Sequence, residues 1–284
     1  MMKFSAYWRL MRFHKPVGTL LLWFPTAWAL WIAQRGQPSW SLLFLFFCGT
    51  VIMRAAGCVL NDLADKEFDQ QVTRTKLRPL AAGELKTKEA LILLCFLLFI
   101  ALLILLQLPA ACFLWGMVAL AVATLYPFCK RFLAAPQFIL GLAFSMGIPM
   151  AFVASNKPLD DTCVLLFLLN FSWIVLYDTL YAMIDKEDDL KIGVRSTAIY
   201  FAQHTHLIIS LLQLVMQTLW LYLAWMLQVS ASFYVLWILS WGILIWQQKL
   251  LMQAKPELCF KGFEISVYYG AIMWIALILG FAIH

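Results

Sequence analysis

The chain has 284 residues, of which 64% are hydrophobic and 13% charged, with a mean hydropathy of +0.85. Soluble globular domains carry about 25% charged residues, so this composition excludes a soluble globular protein and predicts one helical membrane bundle, a single domain over residues 1–284. A net charge of +6 would raise nucleic acid as a partner of a soluble protein. Here its distribution along the chain follows membrane sides, and no nucleic acid is expected.

Residues 1–15 carry Lys3, Arg9, Arg12 and Lys15. They contain no short apolar run ending in a small-residue cleavage site, so no cleavable signal peptide is expected. A membrane-crossing helix needs about 20 mostly apolar residues. On that criterion the sequence predicts about nine transmembrane helices, near 17–34, 41–61, 88–107, 110–128, 137–155, 162–181, 205–227, 231–249 and 265–283. Short breaks fall at Leu108–Pro109 and Asn156–Asp161, and two longer polar stretches remain, roughly 62–87 and 182–204.

With the N-terminus in the cytoplasm and the spans alternating, Arg35 and Lys157 are the two of the 21 Lys and Arg residues that fall outside. That asymmetry is what the positive-inside rule requires, so the C-terminus is expected on the opposite side. Of the 15 acidic residues, Asp160 and Asp161 fall outside and the rest inside. Carboxylates contribute little to orientation, so their concentration needs another cause.

The first polar stretch opens with Asn61, Asp62, Asp65 and Asp69, directly after a span. On a helix Asp62, Asp65 and Asp69 share one face, where like charges repel. Oxygen ligation of Mg²⁺, which takes one or two carboxylates together with substrate phosphates, is the chemistry such a face serves. The second stretch places Asp178, Asp185 and Asp189 on one helical face, with Asp188 beside them. Asp-Lys-Glu-Phe-Asp at 65–69 and Asp-Lys-Glu-Asp-Asp at 185–189 share four of five residues at an offset of 120, which raises an internal duplication with two facing halves. Asp178 lies inside a predicted span, where an ionisable group is costly and a functional candidate.

Arg74, Lys76 and Arg78 follow the first acidic segment, Lys191 and Arg195 follow the second, and Lys130 and Arg131 end the fourth span. Carboxylates, divalent metal and basic side chains together suit a diphosphate, with the cations taking up charge as it leaves. Arg12, Arg54, Lys130 and Arg195 are the basic residues favoured for such a role. His14, His204, His206 and His284 offer no metal site. The seven cysteines are scattered through apolar runs with no paired spacing.

These residues resemble the UbiA family of intramembrane prenyltransferases. The motif Asn-Asp-x-x-Asp-x-x-x-Asp is met in full by Asn61, Asp62, Asp65 and Asp69, the motif Asp-x-x-x-Asp by Asp185 and Asp189, and Tyr-x-x-x-Lys by Tyr126 and Lys130. Arg12-Phe-His-Lys-Pro-Val-Gly-Thr19, Arg74-Thr-Lys-Leu-Arg-Pro-Leu80, Pro136-Gln137 and Gly193-Val-Arg-Ser-Thr197 resemble the 4-hydroxybenzoate polyprenyltransferase branch. The chain departs from that branch after Cys259, where Ile265, Ser266 and Val267 stand in place of the usual asparagines.

The resemblance implies a Mg²⁺-dependent enzyme of a bacterial inner membrane, with its polar site on the cytoplasmic side. Mg²⁺ held by Asp62, Asp65, Asp69, Asp178, Asp185 and Asp189 would bind the diphosphate of a polyprenyl chain, with Asn61, Tyr126, Lys130, Arg131 and Arg195 on the phosphates. The ring of 4-hydroxybenzoate would attack the allylic cation ortho to its hydroxyl, its carboxylate paired with Arg12 or Arg54, while membrane lipid accommodates the tail. Two other readings stand beside this one. Another aromatic acceptor, such as homogentisate or a naphthoate, would leave the diphosphate motifs unchanged. A cation transporter would place its ionisable groups near mid-membrane, whereas all but Asp178 lie at or beyond the inner ends of spans.

Overall fold

The structure, a computed structural model, describes residues 2–282; Met1, the predicted end of the last span at residue 283, and His284 lie outside the described residues. Among the described residues all regular structure is helical. A short α1 (Met2–Leu10) precedes the apolar α2 (Val17–Ala33), and α3 (Trp40–Ala64) is followed by the single turn α4 (Lys66–Asp69). Then come α5 (Thr87–Leu105), α6 (Cys112–Cys129), α7 (Gln137–Ser145), α8 (Gly147–Ala154) and the long α9 (Asp161–Ile192). α10 (Thr197–Tyr200), α11 (Thr205–Leu227), α12 (Ala231–Leu251) and α13 (Pro256–Ala282) complete the chain.

Seven helical segments are long and apolar enough to cross a membrane: α3, α5, α6, α7 with α8, α9, α11 with the turn before it, and α13. α2 is a shorter apolar helix. The remaining predicted span is α12, 21 residues long, whose last two turns carry Gln247, Gln248 and Lys249. The chain is thus an all-α integral membrane protein.

Three boundaries differ from expectation, each for a backbone reason. The span predicted over 137–155 is two helices meeting at Met146. Pro149 has no N–H to give to Ser145, so the hydrogen-bond ladder is interrupted there. The helix of the span predicted to end at 181 continues through the polar stretch to Ile192. α9 runs unbroken from its N-cap Asp160, whose carboxylate accepts from the Cys163 N–H at 3.1 Å, to Gly193 at φ 74°. The last span begins at Pro256, well before the predicted 265, because Pro is favoured in the first turn of a helix and the buried face of α13 already includes Cys259 and Gly262.

α2, α3, α6, α7, α9 and α13 pack in sequence around a central space, each against the next, with α8 below it and α5 outside α3 and α6. α11 and α12 pack on the outer side of α9 and α13. The core on the α2–α9–α13 side is built from indoles: Trp28 lies 5.0 Å from Trp173 and 5.2 Å from Trp220, centroid to centroid. α13 can approach this cluster because position 270 is glycine. A Cβ there would stand 2.8 Å from Trp173 Cη2 and closer still to the Phe24 ring, while the Gly270 carbonyl accepts from Trp28 Nε1 at 3.2 Å. Small residues at such contacts are how membrane helices gain close packing when lipid supplies no hydrophobic drive between them.

A cavity that joins two acidic segments to an apolar wall

The space inside the ring is a cavity of about 1520 Å³. Its polar end holds both acidic segments and the basic residues that follow them; its apolar part runs between α3, α5, α6 and α8, past Phe46, Leu98, Leu102, Met117 and Met150. Phe99 on α5 and Met117 on α6 line it and are 57% and 49% exposed. Every residue singled out in the sequence as catalytic, metal-binding, diphosphate-binding or acceptor-binding lines this one cavity.

The first acidic segment does not form the continuous helical face expected from its spacing. α3 stops at Ala64, Asp65 leaves helical geometry at φ −97° and ψ 8°, and α4 restarts the chain. The break turns all three carboxylates inward. Asp62 is 1% exposed, and Asp65 and Asp69 are each 6% exposed. Buried charges at this density need partners, and each has one. Arg12 Nη2 reaches both oxygens of Asp62 at 2.8 and 2.9 Å. Arg78 Nη1 bridges Asp62 at 3.1 Å and Asp69 at 2.8 Å, and Lys130 Nζ lies 2.8 Å from Asp65. Burial holds the Asp69 carboxyl above its usual range, against the pull of Arg78.

The second segment lies on α9. Arg74 binds Asp185 through Nε at 2.9 and 3.1 Å and through Nη2, and its guanidinium stacks over the Tyr181 ring at 4.7 Å. Burial opposes the charge of Arg74, but Tyr181 and Asp185 outweigh it and hold the guanidinium protonated. Asp188 accepts from the Thr73 N–H at 3.0 Å. The 70–86 connection thereby ties the end of α3 to the end of α9, so the two acidic segments face each other across the cavity. Asp178 and Asp189 line the same wall, each partly buried.

Local geometry delivers the other predicted residues. Tyr126 and Lys130, one turn apart, place the Lys130 ammonium 5.5 Å from the Tyr126 ring centre. Gly193 at φ 74° closes α9, with the Val194 N–H reaching the Asp189 carbonyl at 3.0 Å, the hydrogen bond of a Schellman cap. That turn brings Arg195 against the end of α6, where Nη1 meets the Phe132 carbonyl at 2.6 Å. Arg131 donates to the Ala64 carbonyl at 3.0 Å, and Asn61 faces the cavity beside them. The two residues expected to share an acceptor carboxylate differ: Arg12 is engaged by Asp62, whereas Arg54 has no ion pair or hydrogen bond among the described residues.

Arg74, Arg78 and Tyr181 belong to the geometry of the site but were not among the residues singled out for it. The available signal was the spacing of Arg74 and Arg78, four apart just beyond the acidic segment. Only the path of the 70–86 connection shows that they point back into it.

Among the described residues no three carboxylates, histidines or cysteines converge as a ready metal cage. The donor chemistry nonetheless fits Mg²⁺, which keeps several waters and takes only one or two carboxylates plus phosphate oxygens. Hard carboxylate oxygens from two opposed segments line one cavity, with Lys and Arg beside them.

The sequence profile of the UbiA prenyltransferase family matches residues 22–281. The chain belongs to the UbiA prenyltransferase family. A 4-hydroxybenzoate octaprenyltransferase of Legionella pneumophila (strain Philadelphia 1) is 56% identical over 278 residues, covering 97% of this chain and 98% of that one. A Serratia proteamaculans protein of the same name is 45% identical over 279 residues, with 98% and 96% covered. Among solved structures, the apo UbiA homologue of Aeropyrum pernix K1 superposes with a TM-score of 0.81 at 19% identity, over 92% of this chain and 97% of that one. The Archaeoglobus fulgidus UbiA homologue bound to GPP and Mg²⁺ superposes with a TM-score of 0.72 at 20% identity, over 96% and 99%. At those identities the likeness is one of fold.

The departure from the UbiA branch pattern at 265–267 has a structural counterpart. Ser266 is fully buried and accepts from Gln247 Nε2 at 2.8 Å; the same amide nitrogen reaches the Gly262 carbonyl at 2.9 Å. Gln213 of α11 donates to Gln247 Oε1 at 3.4 Å, and Gln217 of the same helix bonds Ser240 and Tyr269. The last span is thus joined to α11 and α12 by side-chain amides, which find few other partners in lipid.

Proposed function

We propose that this protein transfers a polyprenyl group from an allylic polyprenyl diphosphate to the ring carbon of 4-hydroxybenzoate ortho to the hydroxyl, releasing diphosphate, as a step of ubiquinone synthesis. The observation that carries this reading is identity of 45–56%, over nearly the whole of both chains, to proteins named 4-hydroxybenzoate octaprenyltransferase. The cavity supports the same chemistry. Its polar end suits a diphosphate, and its apolar wall of α5 and α6 residues suits a long hydrocarbon whose remainder lies in the bilayer.

In this reading Asp62, Asp65, Asp69, Asp178, Asp185 and Asp189 supply oxygens for Mg²⁺, and Asn61, Tyr126, Lys130, Arg131 and Arg195 receive the diphosphate. With Mg²⁺ bound, the charge that collects on the departing diphosphate is neutralised. The basic residues hold the leaving group in place as the carbon–oxygen bond breaks. The allylic carbon, left electron-deficient, is shielded from water by Leu21, Leu140, Phe144 and Met146 on the cavity wall. The electron-rich ring forms the new carbon–carbon bond, and loss of the ring proton restores aromaticity. Arg12 or Arg54 pairs with the acceptor carboxylate, and the engagement of Arg12 by Asp62 favours Arg54. The bacterial relatives support an inner membrane location, and the charge asymmetry of the connections supports an N-terminus and polar end that are cytoplasmic and a C-terminus opposite.

The test is prenyl transfer to radiolabelled 4-hydroxybenzoate in membranes holding the protein, with Mg²⁺ and with EDTA. Metal-dependent label in a lipid-soluble product is the expected result. Product from another aromatic acceptor alone would overturn the acceptor assignment, and equal product in EDTA would overturn the metal role.

A further inference from the structure

Seven arginines line the cavity, and six of them are held by the protein. Arg9 pairs with Glu84, Arg12 and Arg78 with Asp62, Arg74 with Asp185, and Arg131 and Arg195 with backbone carbonyls. Arg54, the seventh, makes no hydrogen bond or ion pair among the described residues, although it is partly buried on α3 two turns before Asn61. What holds its guanidinium is space. Gly18, in the first turn of α2, is buried, and a Cβ at that position would stand 2.6 Å from Arg54 Nε, 2.8 Å from Cζ and closer still to Nη2. The planar group therefore lies flat against the α2 backbone. Across the cavity, the hydroxyl of Tyr177 on α9 is buried and without a partner. A buried donor left unpaired is costly, and the Tyr177 hydroxyl together with the unpaired Arg54 guanidinium, both lining the cavity, mark where a ligand's oxygens belong.

We infer that Gly18 is a positioning residue for acceptor binding: its missing side chain is the seat that holds the Arg54 guanidinium toward an aromatic carboxylate in the cavity. This rests on the proposed transfer to an aromatic acid. The fold tolerates Gly18→Ala because the atoms in the way are the far end of a flexible side chain. The seat does not, because the guanidinium must swing out of line.

The experiment is a double-mutant cycle of Gly18→Ala, Arg54→Ala and both, in membranes, reading KM for 4-hydroxybenzoate and for the prenyl diphosphate separately. Gly18→Ala is expected to raise the acceptor KM about tenfold, the scale of one lost charged hydrogen bond. The diphosphate KM should stay within about twofold, and adding Gly18→Ala to Arg54→Ala should change nothing further. Arg54→Lys, too thin to fill the seat, should likewise mask Gly18→Ala. Effects that multiply, an unchanged acceptor KM in Gly18→Ala, or parallel rises in both KM values would overturn the inference. Should Gly18→Ala unfold the protein, the melting curve of the double variant decides: recovery by Arg54→Ala supports the seat, and no recovery overturns it. If the wild type prenylates a different aromatic acid and not 4-hydroxybenzoate, the proposed function falls, while the same cycle on that acid still decides the role of Gly18.

Discussion

Nη2 of Arg12 stands 2.8 and 2.9 Å from the two carboxylate oxygens of Asp62, across 50 residues of sequence. Arg12 makes this contact with its backbone at φ 60°, a left-handed conformation that costs a non-glycine residue about 1–3 kcal/mol. The strain is held by the pair, since Asp62 is the most deeply buried carboxylate of its segment. Arg12→Ala keeps the strain and loses the pair, leaving Arg78 as the remaining partner of Asp62. A lowering of stability by about 2 kcal/mol is expected, read as the thermal midpoint in detergent. An unchanged midpoint would mean that Arg78 alone satisfies Asp62.

Asp62→Ala, Asp65→Ala and Asp185→Ala are each expected to lower turnover by more than about a hundredfold, the scale of losing an electrostatic group from a transition state. Protein yield and helical circular dichroism should be retained. Near-normal activity in all three would sink the reading in which two opposed acidic segments handle the diphosphate.

Arg74 meets Asp185 through two nitrogens while stacking on Tyr181. Lysine keeps the charge but has neither the fork nor the plane. Arg74→Lys should cost about tenfold in kcat/KM for the prenyl diphosphate. Activity equal to wild type would show that charge alone matters at this position.

Two glycines test the packing. Gly270→Ala drives a methyl group into Phe24 and Trp173 and should destabilise by about 1–3 kcal/mol through overpacking. Gly242→Ala, in α12 with nothing within 4 Å of its Cβ, should be neutral or slightly stabilising, because alanine favours helix more than glycine does. Equal midpoints for both variants would argue against the close approach of α13 to α2 and α9.

His14 sits at the cavity mouth. Partial burial first, then the charges of Lys15, Arg12 and Arg9, keep its ring below the ordinary value of 6.5. The unfolded chain therefore takes up its proton first as pH falls through 6.5, which favours unfolding, and above that pH both states are neutral and the residue contributes nothing. Thermal midpoints measured from about pH 8 to 5 should fall less steeply in His14→Gln than in the wild type. Superimposable pH curves would contradict this.

Composition and motif spacing alone make the class and the chemistry legible. Runs of about 20 apolar residues have one stable form in lipid, because each backbone group must be satisfied within its own helix, and so the spans were legible from composition alone. The acidic segments were legible too, since clustered carboxylates repeated at the ends of two spans have no use in orientation or packing. Which charge meets which depends on the packing of distant segments. The spacing of Asp62, Asp65 and Asp69 expects one helical face, yet the chain breaks at Asp65 because burying three carboxylates requires Arg12, Arg78 and Lys130 to reach them from three other parts of the chain. The spacing of Asp178, Asp185 and Asp189 already expects a helix through the second acidic segment, and α9 runs through it, because charged residues end a hydropathy run without ending a helix. The pairing of Arg12 and the freedom of Arg54 were equally invisible, because a long side chain's partner depends on helices that are neighbours in space and distant in sequence.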